Sequence, residues 1–354
     1  MNKKLTNMFP KQIKKILVTG GAGFIGSALV KRLLSDKSLK VFNLDKLTYA
    51  SNLQSINDTV KKLFISETNY QFFKVDLKNF EVTRDIINYI QPDIIFHLAA
   101  ESHVDRSIQS PRIFIESNII GTFNLLEASK IYWENLDFNR QESFRFHHVS
   151  TDEVYGSLGS KGYFSETSSY DPRSPYSASK ASSDHLVKAW HHTYGLPIVL
   201  TNCGNNYGPC QFPEKLIPLS ISRAISNEPI PLYGDGLNMR DWIFVEDHID
   251  ALIATVIKGQ LGKSYCIGAS EQFTNLKVVQ DICFLLDQYL PKRSSYSDLI
   301  TLVNDRPGHD QRYAIDATRA IQEIGWKPRY SFNKGLQLTV KWFLENQNWC
   351  NQKI

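Results

Sequence analysis

Tyr176 and Lys180 are four residues apart. On a helix that spacing puts both side chains on one face. A cation beside a phenol lowers its pKa, so the pair can take a proton from a substrate hydroxyl while hydride leaves the same carbon. That is the work of a nicotinamide-dependent oxidoreductase. Isolated pairs of this kind also decorate ordinary helix surfaces, so the neighbouring residues decide. Upstream, Asp152 and Glu153 stand side by side in Ser150-Thr151-Asp152-Glu153-Val154-Tyr155-Gly156. Adjacent residues of a strand face opposite ways. The two carboxyls can therefore converge only beyond a strand end, in a turn or a first helical turn. Acids often open helices with no chemistry attached. In a closed site, however, two carboxyls repel, and one can stay protonated while the other serves as base. An acid and a base can remove water from a sugar once a neighbouring alcohol has been oxidised. Oxidation, elimination and reduction at one site is the expectation.

Positioning such groups requires a sheet and a cofactor cradle. Strand 16–19 leads into Gly20-Gly21-Ala22-Gly23-Phe24-Ile25-Gly26 and then a helix from about 24 to 34. Small residues there let the backbone approach a pyrophosphate, which the helix N-terminus attracts. A second strand, 41–44, ends at Asp45, 19 residues after Gly26. A carboxylate at that point can accept both ribose hydroxyls and repels a 2′-phosphate, which favours NAD over NADP. Lys46 beside it could soften that repulsion. Further strands are read at 70–75, 94–98, 144–149 and 198–200, with a helix opened by Pro111 and running to about 132. Ser174-Pro175 supplies a cap and a first-turn proline for the helix that carries Tyr176 and Lys180, ending at Gly195. This alternation predicts an α/β fold: a Rossmann-type doubly wound parallel sheet. After Asn205, prolines at 213, 218, 229 and 231 break the rhythm. The remainder reads as a smaller, partly interleaved C-terminal substrate-binding lobe. Residues 14–205 are read as the NAD-binding domain, 206–345 mainly as the substrate-binding lobe with interleaved boundaries, and 1–13 as a short solvated tail.

Composition excludes several classes. Among 354 residues, 40 Lys and Arg against 36 Asp and Glu leave +4, too mild and too scattered for nucleic acid. No apolar run approaches the roughly 20 residues of a membrane span, and no signal peptide is evident. Cys203, Cys210, Cys266, Cys283 and Cys350 are odd in number and lack a C-x-x-C spacing, so neither a disulfide frame nor a zinc knuckle is expected. The pairs His147-His148 and His191-His192 lack further ligands at suitable spacing, so no metal is expected. A cytoplasmic location fits these features.

Thr19-Gly-Gly-Ala-Gly-Phe-Ile-Gly26, His97-Leu-Ala-Ala-Glu-Ser-His-Val-Asp-Arg-Ser107 and Tyr176-Ser-Ala-Ser-Lys180 resemble the extended short-chain dehydrogenase/reductase family. Ser150–Gly156, Asn205–Pro209, Phe212–Pro218, Arg240–His248 and Asn304–Asp310 resemble its nucleotide-sugar dehydratase branch, over residues 14 to 345. The resemblance implies tightly bound NAD, a dTDP-glucose substrate, a hydro-lyase reaction and a homodimer sealed by helices 111–132 and 175–194, with UDP-glucose dehydration or nucleotide-sugar 4-epimerisation as the alternatives. It further implies that Thr151 and Tyr176 bond the sugar O4, that Asp152 is the acid toward the C6 hydroxyl and Glu153 the base at C5. Gly20, Gly23, Phe24, Ile25, Gly26, Asp45, Lys46, Thr48, Asp76, Leu77, Ala99, Ala100 and Ser102 would hold the cofactor with Tyr176 and Lys180. Ser102, Thr151, Asn205, Glu214, Lys215, Arg240, Asn275, Arg306 and His309 would hold the substrate. Gly204 and Cys266 depart from the family, which usually has Ser and Asn there.

Overall fold

The computed structural model describes residues 8–351, with side chains through 349. Residues 1–7 of the expected tail and the Cys350 side chain lie outside the described residues. Seven strands form one sheet: β1 (Lys15–Thr19), β2 (Lys40–Asp45), β3 (Tyr70–Lys74), β4 (Ile94–His97), β5 (Arg145–Thr151), β6 (Ile198–Cys203) and, much later in the chain, β10 (Ser264–Ile267). Their order is β3-β2-β1-β4-β5-β6-β10, and every pairing is parallel. Helices cover both faces, so inner strands read as unbroken apolar runs rather than alternating ones. Ile16, Leu17 and Val18 are fully buried although consecutive side chains face opposite layers.

On one face the helices Phe24–Leu34 and Val245–Lys258 pack together, Leu29 and Leu33 against Val245, Ile249 and Leu252. On the other lie Phe80–Ile90, Gly121–Glu134 and Pro175–Tyr194, joined through Ile87, Leu125 and Val187. The chain thus enters the later lobe, returns at 245–267 to cover and extend the sheet, and leaves again. That lobe holds β7 (Asn205–Tyr207), β9 (Met239–Phe244) and β11 (Gln272–Thr274) in one small sheet, and β8 (Ile230–Tyr233) beside β12 (Ile300–Val303) in another. Tyr207, Trp242, Phe244 and Phe332 are central to its own apolar core.

Several local readings change, and β6 runs three residues past its expected end at 200. Residues 8–13 are not a solvated tail: Phe9 and Ile13 are buried against the sheet, and the Met8 N–H bonds Asp36 Oδ2 at 3.1 Å. A short basic stretch hides two apolar anchors, and burying them outweighs the charge pattern. β5 runs two residues past the expected end, to Thr151, because it pairs with β6 through Thr151 and Cys203. The expected helix 111–132 is interrupted by a π-helical turn at Ile115–Ile120 and reaches Glu134. Such turns often mark functional sites. Here the turn presents Asn118, 1% exposed, to the chain that follows β4.

Candidate active site

Parallel strands place their C-terminal ends along one edge, and β1 and β4 diverge into opposite halves of the sheet there, leaving a crevice. A cavity of about 730 Å³ opens at that point and continues under the later lobe. Every site residue expected from the sequence lines it.

At the cofactor end, Gly20 has φ +71, and a Cβ there would sit 2.6 Å from the Ala99 nitrogen. A Cβ on Gly26 would lie 2.1 Å from the Gly20 carbonyl oxygen. Only glycine allows this approach of strand, turn and helix. The helix begins at Phe24 with Gly23 as N-cap and no side chain capping it, so its first N–H groups face the cavity side. Asp45 is buried. Its Oδ2 accepts from the Ala22 N–H at 3.0 Å, and its Oδ1 from the Leu47 N–H at 2.8 Å and the Ser51 hydroxyl at 3.1 Å. Oδ2 keeps acceptor capacity for a ribose hydroxyl. Thr48, Asp76, Leu77, Ala99, Ala100 and Ser102 complete this end. The cradle and the acid fit a dinucleotide.

At the centre, β5 ends at Thr151 and a 3₁₀ turn, Asp152–Tyr155, begins at once. The Thr151 Oγ1 accepts from the Glu153 N–H and donates to Asp152 Oδ1, both at 3.3 Å. The turn lifts both carboxyls out of the strand's alternation, so they reach one cavity. Asp152 is 2% exposed and its Oδ2 has no hydrogen-bond partner. Burial, then Glu153 and Asp241, push its carboxyl well above the ordinary range. Burial also raises Glu153, but Arg306, Lys215 and Arg240 pull it back. Burial and the neighbouring carboxylates thus favour a proton on Asp152, while the three cations favour the ionised form of Glu153.

Tyr176 is the second residue of the helix Pro175–Tyr194, whose start is fixed by a capping box of Ser174 and Ser177. Its ring is buried with Phe114 and Val104. The expected lowering of the phenol by Lys180 does not appear. Burial, followed by the Glu153 carboxylate, pushes Tyr176 well up. Lys180 instead donates to the Val149 carbonyl oxygen at 2.9 Å. Below it, fully buried Asp184 accepts from Tyr170 Oη at 2.9 Å and Asn202 Nδ2 at 3.0 Å, and lies 3.2 Å from His148 Nε2. Burial depresses Lys180 and Asp184 counters it.

At the far end, Asn205, Glu214, Lys215, Arg240, Asn275, Arg306 and His309 converge from the later lobe and the loops that join it. The Lys215 ammonium donates to the Ser102 carbonyl oxygen at 2.8 Å. Arg240 is 4% exposed, lies 4.4 Å over the Tyr313 ring, and donates to the carbonyls of Met239 (2.8 Å) and Asp310 (2.9 Å). Nη1 and one Nη2 hydrogen are thus engaged, which leaves the Nε and Nη2 edge as the one that could meet a phosphate. Arg306 Nη1 lies 3.4 Å from Asp105 Oδ1 while its Nε has no partner. The cavity walls also contain His103, Asp105, Gln211, Tyr233, Trp242 and Tyr313, which sequence reasoning missed. His103 and Asp105 lay within a quoted motif; Tyr233 and Tyr313 carry no spacing signal. A Cβ at Gly204 would come 2.9 Å from the Asp241 carbonyl oxygen, and Cys266 sits fully buried with its Sγ 3.5 Å from Tyr155 Oη.

The family model described as GDP-mannose 4,6 dehydratase matches residues 17–339. A dTDP-glucose 4,6-dehydratase of Salmonella typhimurium is 53% identical over 348 residues, covering 95% of this chain and 94% of that protein. The chain belongs to this family, in the branch of the dTDP-glucose 4,6-dehydratases. A solved dTDP-glucose 4,6-dehydratase from Bacillus anthracis, in complex with NAD, has a TM-score of 0.84 at 42% identity, covering 96% of this chain and 100% of that one. A Streptomyces venezuelae dTDP-glucose 4,6-dehydratase double mutant, also with NAD bound, reaches 0.86 at 38% identity with the same coverage. Within the family architecture, buried His147 and His148 serve the core: His147 Nε2 contacts Thr201 Oγ1 at 3.0 Å and His148 faces Asp184. Among the described residues no group of three His, Cys, Asp or Glu could hold a metal ion, and no helix is long and apolar enough to cross a membrane.

Proposed function

We propose that this protein is an NAD-dependent hydro-lyase that converts dTDP-glucose to dTDP-4-keto-6-deoxyglucose. The observation that carries this reading is the pair of buried carboxyls, Asp152 and Glu153, that one 3₁₀ turn brings into the same cavity as Tyr176 and Lys180. Tyr176, with the Thr151 hydroxyl, takes the O4 proton. NAD, when bound, accepts the C4 hydride and later returns it at C6. The resulting 4-ketone acidifies the C5 proton and places the C6 hydroxyl β to the carbonyl. Glu153 removes the C5 proton, Asp152 gives its proton to the C6 hydroxyl, and water departs. Glu153 then returns a proton to C5 as hydride arrives at C6. Arg306, Lys215 and Arg240 supply the positive charge that a diphosphate needs, with Asn205, Glu214, Asn275 and His309 around the sugar and nucleoside. Gly20 to Gly26, Asp45 and Thr48 hold the cofactor, and Lys46 lines the same end with its ammonium turned to Glu101.

A 4-epimerase would use the same Tyr and Lys but needs no adjacent acid and base. Product analysis with dTDP-glucose and UDP-glucose side by side separates these readings. The expected result is 4-keto-6-deoxyglucose nucleotide with water loss, faster from the dTDP sugar. Turnover should need no added cofactor. Stoichiometric release of NADH, or a 4-epimer as product, would overturn the reading.

We further place the protein in the cytoplasm, in 6-deoxysugar synthesis of the rhamnose type. The four described cysteines are free and buried. As assembly we propose a homodimer. Ile113, Ile120 and Phe123 on the 111–134 helical segment, and Tyr194 at the end of the neighbouring helix, expose 39–49% of their surface. An apolar stripe on two adjacent helices suits burial against a second copy. Sedimentation equilibrium should return twice the chain mass. Replacing Ile120 and Phe123 by Glu should return the single mass.

A further inference from the structure

Lys46 follows the ribose acid Asp45 directly, and a cation at that position is what a 2′-phosphate would seek. It is not available. Its ammonium lies 2.9 Å from Glu101 Oε1 and donates to Ser117 Oγ at 3.0 Å. We infer that Glu101 is a cofactor-specificity residue, which makes the site select NAD over NADP by holding Lys46 away from the ribose 2′ position. The inference rests on the reading of Asp45 as the ribose-binding acid.

The placement of Glu101 is independent of its carboxylate. Its backbone N–H donates to Asn118 Oδ1 at 2.8 Å, and its carbonyl accepts from Asn118 Nδ2 at 3.0 Å. Asn118 Nδ2 also donates to Ser179 Oγ at 2.8 Å. The π-helical turn and the Tyr176 helix therefore clamp the main chain, and the side chain is left to reach Lys46.

Charges of both signs line this end. A second cavity of about 670 Å³ adjoins this end, sharing Lys46, Thr48 and Asp76 with the first. Its wall holds Arg106, whose guanidinium lies 3.5 Å over the Tyr49 ring and 3.5 Å from Glu214 Oε2. Asp45, Asp76 and Glu101 are the acids of this neighbourhood. A 2′-phosphate brings close to two negative charges. Near these acids, Lys46 and Arg106 are both engaged elsewhere, and Lys74 is the further cation on the wall of the second cavity.

Glu101→Gln removes the charge, keeps the shape and leaves the Asn118 clamp intact. Native protein, Glu101→Gln and Glu101→Gln/Lys46→Ala are each incubated with equal excesses of NAD and NADP and then desalted. The retained cofactor is extracted and separated by chromatography. Native protein should retain NAD almost exclusively. The retained NADP-to-NAD ratio should rise at least about tenfold in Glu101→Gln, the order expected for one recovered charge-assisted contact. It should return to the native ratio in the double variant. An unchanged ratio in Glu101→Gln overturns the inference. So does a gain that survives the loss of Lys46, or the loss of both cofactors, which would make Glu101 a support of the loop. Native protein that retains no NAD would sink the cofactor reading itself, a distinguishable result.

Discussion

Asp152→Asn and Glu153→Gln should each halt the reaction after its first oxidation. In a single turnover, both variants are expected to reduce the bound cofactor at a rate near native and to accumulate a 4-keto-glucose nucleotide. Formation of the 4-keto-6-deoxy product should fall by at least about a hundredfold, the usual scale for a lost acid or base. The structure explains why the first half survives. Asp152 is buried and its carboxyl is pushed up by burial and Glu153, so an amide of the same shape stands in for the protonated acid without adding charge. Glu153 raises the Tyr176 phenol, so its neutralisation eases the first proton transfer. Glu153→Gln should also slow exchange of the C5 hydrogen with solvent deuterium. Because burial raises Glu153, the acid limb of native dehydration should lie above the ordinary carboxylate range and vanish in Glu153→Gln. Rapid-quench sugar analysis, followed alongside NADH absorbance, makes the measurement. Dehydration at the native rate in both variants would make these residues plain helix-start acids.

Tyr176→Phe is expected to lower turnover at least about a hundredfold, with loss at the oxidation step itself. Cofactor reduction in a single turnover should fall in parallel, unlike in the carboxyl variants. dTDP affinity should change little, because the ring that packs with Phe114 and Val104 remains. The phenol is pushed up by burial and by Glu153, so the phenolate that accepts the O4 proton forms only with positive charge close by. Lys180 and a bound nicotinamide cation are the two sources. Near-native turnover of a folded Tyr176→Phe protein would remove Tyr176 from the chemistry.

Much of this was legible because it is local. The Gly20–Gly26 turn, Asp45 at a strand end, the Ser174 cap and the four-residue Tyr–Lys spacing each lie within one turn, strand end or helix, where backbone periodicity dictates which side chains meet. The convergence of Asp152 and Glu153 followed from the same rule, since alternation forbids it on a strand and a 3₁₀ turn permits it. What remained hidden depends on residues far apart in the chain. The anchoring of Phe9 and Ile13 needs the assembled sheet. The return of β10 to the sheet places Ser264–Ile267 beside Leu200–Cys203, 64 residues earlier. Lys46 meets Glu101, and Arg306 meets Asp105, only after folding. The proton affinities at the centre were the least legible of all. Residue type alone suggested that Lys180 would lower the Tyr176 phenol, whereas burial raised it. Desolvation and the net field of neighbouring charges set such values, and both are properties of the enclosed cavity, which exists only when the tertiary structure has closed around it.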